Sequence, residues 1–177
     1  ADSIVRRCNW DIMRNFGTGI YMGWKPAPGG NFNSFGRWQG YNEAMILYLL
    51  ALGSPTFPVP TNQWAYWTGT YNYATYNGQT FIVFPPLFGH QYSHCWVDFR
   101  NKADAYTSAR SLNYFENSRR ATLAQQAYCI ANPGGWTGYS SVLWGITASE
   151  YPGPGGDLAR GAPPAQNDEG TIAPTAA

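Results

Sequence analysis

The sequence is short of charge. Only 12% of its 177 residues are Asp, Glu, Lys or Arg, and the formal net charge is +1. That is roughly half the usual charged share of a soluble domain. It argues against an acidic tail or a basic nucleic-acid surface. Cysteine is scarce too. Cys8, Cys95 and Cys129 are widely spaced and form no metal or redox motif, so each is expected to be a buried free thiol. Long apolar runs are missing: the longest, residues 44–52, is about half of the ~18 residues that a bilayer span requires. Residues 1–15 carry Asp2, Arg6, Arg7, Asp11 and Arg14 and lack the apolar segment of a signal peptide.

Aromatic rings are abundant. They make up 17% of the chain, with 8 Trp and 13 Tyr. Many flat amphipathic rings among few charges suit a carbohydrate groove, and equally a large aromatic core.

Periodicity predicts helices over residues 2–15, 40–52, 88–101 and 111–131, with a short one near the start of 61–74 and another over 142–148. A short strand is expected over 78–84. The Gly-, Pro- and Asn-rich stretch 23–36 reads as loop. Residues 151–177 hold five Pro and five Gly with almost no bulky apolar residue, which taken alone is linker composition.

Ten acidic residues allow each to be weighed. Asp2, Asp11, Asp104, Asp157, Asp168 and Glu169 read as solvated surface. Glu43 is different. It is placed in the first turn of the most apolar helix, beside Trp38 and Tyr41. One reading is a helix-start carboxylate favoured by the macrodipole. The other is a general acid whose pKa is raised by desolvation. His90, His94 and Asp98 recur every four residues, so on a helix they share one face. The Glu of a His-Glu-x-x-His metal motif is replaced by Gln91, which leaves a pocket-lining or structural polar stripe ahead of a metal site. Glu116 is read as a cap, as the partner of Arg119 or Arg120, or as a catalytic carboxylate. Trp24, Trp38, Trp136 and Trp144 lie in or beside Gly-rich loops, where rings can stack on sugars or pack in the core.

Eight segments in order carry a resemblance. They include Gly23-Trp24, residues 37–44 (Arg-Trp-Gln-Gly-Tyr-Asn-Glu-Ala), 52–56 and 86–94, and Asp98-Phe99-Arg100. Residues 114–122, Trp144-Gly145-Ile146-Thr147-Ala148 and 170–177 complete them. Together they resemble the bacterial glucoamylase-like domain, which includes glycoside hydrolase family 144 endo-β-1,2-glucanases and related domains of cyclic β-1,2-glucan synthases. The resemblance implies an all-α fold, part of an (α/α)₆ barrel with long aromatic loops. Residues 1–150 would belong to that barrel, and 151–177 would be a loop of the same domain. A complete twelve-helix barrel needs roughly twice this length at about 11–12 residues per helix plus loops, so the chain is expected to be a fragment, inactive by itself.

The activity implied is hydrolysis of β-linked glucan, most directly endo-β-1,2-glucanase, with Glu43 as general acid acting through a substrate hydroxyl. The second carboxylate would lie upstream, and Asp98 and Glu116 are fallback catalytic candidates. Trp24, Arg37, Trp38, His90, Gln91, His94, Arg119 and Trp144 are the expected substrate contacts. Glu150 stands where many relatives have Asp, which leaves its role open. A non-catalytic sugar-binding module and a transglycosylase remain alternatives. Neither metal nor cofactor is expected; the partner is an oligo- or polysaccharide, and the location is periplasmic or secreted.

Overall fold

A computed structural model describes residues 2–26, 28, 30–32, 35–149 and 167–173. Glu150 and most of 151–177 lie outside these residues, and so do the expectations placed on them. The chain divides into two compact units, Ala1–Tyr71 and Asn72–Ala177. Among the described residues no helix is long and apolar enough to cross a membrane.

In the first unit, the helix expected over 2–15 is instead two single turns, α1 (Asp2–Val5) and α2 (Trp10–Met13). Asn9 causes the break. Its backbone is extended and its side-chain oxygen accepts from the amides of Asp11 and Ile12, which starts a new helix rather than continuing the old one. The second expected helix also begins late, as α3 (Met45–Leu52). Asn42 is the reason. Its Oδ1 accepts from the Ala44 amide while its Nδ2 donates to the carbonyls of Gln39 and Gly40. These local bonds hold 40–44 in a turn that competes with helix, and Gly40 takes φ +78° within it. Met45, Tyr48 and Ala51 then form the buried stripe of α3. α4 (Asn62–Thr68) supplies Trp67, which is fully buried with its ring centroid 4.9 Å from that of Tyr48.

The second unit opens with a hairpin, β1 (Tyr73–Tyr76) against β2 (Gln79–Ile82), in the register Tyr73↔Ile82 to Tyr76↔Gln79. An all-α chain would lack it. Asn77 and Gly78 both take positive φ, 47° and 78°, the geometry of the two-residue turn that matches strand twist. The long helix α7 (Tyr114–Ala131) follows after α5 (Phe88–Gln91) and α6 (Ala105–Ser108). It holds the hairpin through side chains: Asn117 Oδ1 accepts from the Ile82 amide, Arg120 donates to the Thr80 carbonyl, and Asn77 donates to the Ala124 carbonyl. Asn113 caps the start of α7 and Asn132, in the left-handed region, ends it.

Three expectations fail here. The helix over 88–101 stops after α5 and a 3₁₀ turn at Tyr92–Cys95. Residues 142–148 are not helical, because the backbone of Ile146 is paired with the side chain of Gln125. Asp104 is no idle surface group, since it caps α6 and accepts from the Tyr114 hydroxyl. Of the thiols, Cys129 is buried as expected, but Cys8 is half-buried and Cys95 exposed. Phe81, Leu87, Ala121 and Ala124 form one core cluster, and Tyr128, Cys129, Tyr139 and Ile146 another.

Candidate functional site

The first unit carries Trp24, Arg37, Trp38 and Glu43. The segment from Trp38 to Glu43 is fixed at several points. The Trp38 amide donates to the Ile20 carbonyl, its carbonyl accepts from the Tyr48 hydroxyl, and the Gly40 amide donates to the Trp67 carbonyl. Gln39 donates to the Tyr66 carbonyl. Glu43 therefore sits on a braced turn leading into α3, half-buried, with Oε2 out of contact with solvent. Arg37 is exposed. Its guanidinium lies 4.4 Å from the Tyr21 ring centroid and donates to the Tyr21 hydroxyl at 2.7 Å. Trp24 and Trp38 line a pocket of about 290 Å³ in this unit.

The second unit brings four of the expected contacts together. His90, Gln91, His94 and Arg119 line an open groove of about 390 Å³, with Phe115 and Ser118. The two histidines differ in access. His90 is 1% exposed, its Nε2 lies 3.1 Å from the Phe84 carbonyl oxygen, and burial pushes its pKa down to about 3, against the raising effect of that backbone bond. It is a neutral imidazole. His94 is half-buried, 2.9 Å from the Ser118 hydroxyl and packed 4.6 Å from the Phe99 ring centroid; burial lowers its pKa while Asp98 opposes this.

Asp98 does not join the histidines on a helical face, since the helix has ended. It is exposed and takes a two-pronged hydrogen bond from Arg100, which pulls its pKa down to about 2. Glu116 accepts from Arg119 at 2.8 and 2.9 Å and from Arg120 at 2.9 Å. The Arg119 hydrogen bond, ahead of the opposing burial, brings its pKa to about 2. Two carboxylates held this firmly ionised are poor proton donors at neutral pH. Trp144 is half-buried and packs against both core clusters. Among the described residues no group of three or more His, Cys, Asp or Glu is arranged to hold a metal ion.

Sequence reasoning missed Asp168. Read as solvated, it accepts from the hydroxyls of Tyr128 and Tyr139 at 2.7 Å, from the Trp136 indole at 3.2 Å and from the Gly170 amide at 3.1 Å. The pKa values of both tyrosines are raised, first by burial and then by this carboxylate. No local signal near Asp168 marks it, because its three side-chain donors lie 29 to 40 residues away.

The family model described as "Putative glucoamylase" matches residues 36–177. This chain belongs to that glucoamylase-like family. The match takes in Arg37, Trp38, Glu43 and every candidate of the second unit, and leaves Trp24 before it. The glucoamylase-like chain is 29% identical over 99% of its length to an exo β-1,2-glucooligosaccharide sophorohydrolase of Parabacteroides distasonis. In fold it matches a Bacteroides caccae protein of the same family description, with a TM-score of 0.85 and 33% identity. It also matches an endo-β-1,2-glucanase of Chitinophaga pinensis, solved with sophorotriose and glucose, with a TM-score of 0.85 and 28% identity. Both structural matches cover 99% of this chain. The chain spans 27% of the sophorohydrolase and 42–43% of the two solved structures.

Proposed function

We propose that this glucoamylase-like chain serves the hydrolysis of β-1,2-linked glucan, cleaving within the polymer, with Glu43 as the general acid. Its helices would form part of an (α/α)₆ barrel. The observation that carries the assignment is the contrast among the carboxylates. Glu116 and Asp98 are held ionised by arginines, whereas Glu43 stands on a braced turn at the start of α3 with one oxygen withdrawn from water. The relatives' activity on β-1,2-linked glucans supports the substrate class.

A glycosidase needs a second carboxyl group or a water held by one, and the distance between the two sets the stereochemical outcome. We assign that role to no residue of this chain. In the first unit, Arg37 is suited to binding sugar hydroxyls through its exposed guanidinium, and Trp24 and Trp38 to stacking. In the second, Gln91, His94 and Arg119 are suited to hydroxyl contacts. His90, too buried to reach ligand freely, is assigned the support of α5, and Trp144 the support of the groove wall.

The test is Glu43→Gln in the native protein, assayed on β-1,2-glucan by product analysis. Turnover is expected to fall by about 10²–10⁴-fold, the usual contribution of a positioned acid, with the circular dichroism spectrum unchanged. Undiminished turnover would remove Glu43 from the role. Glycan binding without product by the unsubstituted native protein would replace the hydrolase with a binding module.

A further inference from the structure

Asn77 and Gly78 form the turn between β1 and β2, and they are the single Asn-Gly pair of the sequence. We propose that Asn77 is a site of spontaneous deamidation whose rate is set by its hydrogen bond to α7, so that release of the hairpin from that helix is turned into a permanent chemical change.

The first observation behind this is the setting of the nucleophile. Asparagine is among the chemically labile residues. Its reaction needs the backbone nitrogen of the next residue to reach the side-chain Cγ. A side chain on that next residue crowds the nitrogen, and glycine has none. Asn77 and Gly78 are both exposed, and a Cβ on Gly78 would meet no heavy atom within 4 Å. Water and base therefore reach the turn. Other exposed asparagines are shielded by their neighbours: Asn15, Asn72 and Asn101 precede Phe16, Tyr73 and Lys102.

The second is the state of the leaving group. Asn77 Nδ2 donates to the Ala124 carbonyl of α7 at 3.1 Å, and Nδ2 is the atom that must depart. The Gly78 nitrogen gives up its proton and forms a bond to Cγ. The Cγ–Nδ2 bond breaks, and Nδ2 takes up a proton and leaves as ammonia. Water then opens the cyclic imide at one of its two carbonyls, which yields aspartate or isoaspartate. The carboxamide is tied to the helix, so swinging Cγ onto the Gly78 nitrogen requires the bond to Ala124 to open. Local opening of the hairpin is thus the gate.

The third is what the products do to the gate. Both replace the amide donor with a carboxylate, which only accepts and has no proton to offer the Ala124 carbonyl. Isoaspartate also adds a methylene to the main chain inside a two-residue turn. The pairing Tyr76↔Gln79 and the 2.7 Å hydrogen bond between the Thr75 and Thr80 hydroxyls cannot both keep their register across the longer turn. The other ties to α7, from Arg120 to the Thr80 carbonyl and from the Ile82 amide to Asn117, depend on that register. Reclosure is therefore opposed, and the core cluster of Phe81, Leu87, Ala121 and Ala124 loses its cover.

The test is peptide mapping of the native protein held in mildly alkaline buffer, with a protein isoaspartyl methyltransferase reporting isoaspartate. Asn77 is expected to convert before any other asparagine. Urea below the unfolding transition should speed the conversion at least threefold, and so should Arg120→Gln, which removes one tie to the hairpin. Asn77→Asp, made directly, should raise amide hydrogen exchange in β1 and β2 at least tenfold while exchange in α3 stays unchanged. Earlier conversion of another asparagine would overturn the site. A rate that neither urea nor Arg120→Gln raises would overturn the gate, and unaltered strand exchange in Asn77→Asp would overturn its consequence.

Discussion

Gln125 and Ile146 exchange two hydrogen bonds of 2.7 Å: the Gln125 carboxamide donates to the Ile146 carbonyl and accepts from the Ile146 amide. Both residues are fully buried. The side chain of a helix thus satisfies the backbone of a segment that belongs to no helix or strand. The Ile146 carbonyl also accepts from the Leu87 amide, and the Thr147 hydroxyl from the Phe88 amide, so the pairing extends to the start of α5, which bears His90 and Gln91. Gln125→Ala would strand the buried Ile146 amide and leave the Ile146 carbonyl with the Leu87 amide alone. At about 1–3 kcal/mol for an unsatisfied buried group, unfolding in urea should show a loss of about 1–3 kcal/mol. Stability within 0.5 kcal/mol of the unsubstituted protein, on the order of the usual surface-substitution noise, would mean that water takes over the pairing.

Asp168 joins three distant rings to one turn. Asp168→Asn replaces one acceptor oxygen with an N–H₂ that faces donors, and about 1–3 kcal/mol of stability should go with it. Tyr139→Phe removes one donor of four and should cost less. A larger loss from Tyr139→Phe than from Asp168→Asn would show that ring packing, not the carboxylate, holds residues 167–173.

Acid should act on this protein in two windows. His90 has its pKa lowered from 6.5 to about 3, so the unfolded chain binds its proton first. The stability it contributes is complete above pH 6.5 and is lost as pH falls toward 3, at no more than about 1.4 kcal/mol per pH unit. Glu116 has its pKa lowered from 4.5 to about 2, so its contribution is lost only below pH 4.5. Chemical denaturation at a series of pH values should therefore show a decline that starts near pH 6.5, and His90→Gln should flatten the upper part of it. An identical profile for His90→Gln would assign the decline to other groups.

Much of the fold was legible where the pattern is local. The period over 111–131 predicts the helix that stands as α7 at Tyr114–Ala131, down to its last residue. Errors arose where a side chain takes over backbone hydrogen bonds. Asn9 splits the first helix, Asn42 delays α3, and Gln125 takes both backbone hydrogen bonds of Ile146 out of a helix. Apolar periodicity cannot register such bonds. The Asn77-Gly78 turn was a readable hairpin signal that a single expected strand left unused. At the candidate site, His90, Gln91, His94 and Arg119 do share a groove, though through a 3₁₀ turn and α7 and not one helical face. Asp98 was misplaced because the assumed helix carried it too far.

Alkali supplies the complementary test in the first unit. The Tyr48 hydroxyl donates to the Trp38 carbonyl at 2.7 Å and accepts from the Ile20 amide at 3.1 Å. Burial, ahead of the opposing Ile20 bond, raises its pKa from 10.0 to about 12. The folded state therefore keeps its proton after the unfolded state has lost it. The contribution of Tyr48 is complete below pH 10 and falls away as pH rises toward 12, because a phenolate cannot donate to Trp38. Tyr48→Phe should cost about 1–3 kcal/mol at neutral pH, since the Ile20 amide and the Trp38 carbonyl lose their shared partner. The same variant should lose less stability than the unsubstituted protein between pH 10 and 12. Stability that falls equally steeply in both would place the alkaline sensitivity elsewhere, with Tyr128 and Tyr139 the next groups to substitute.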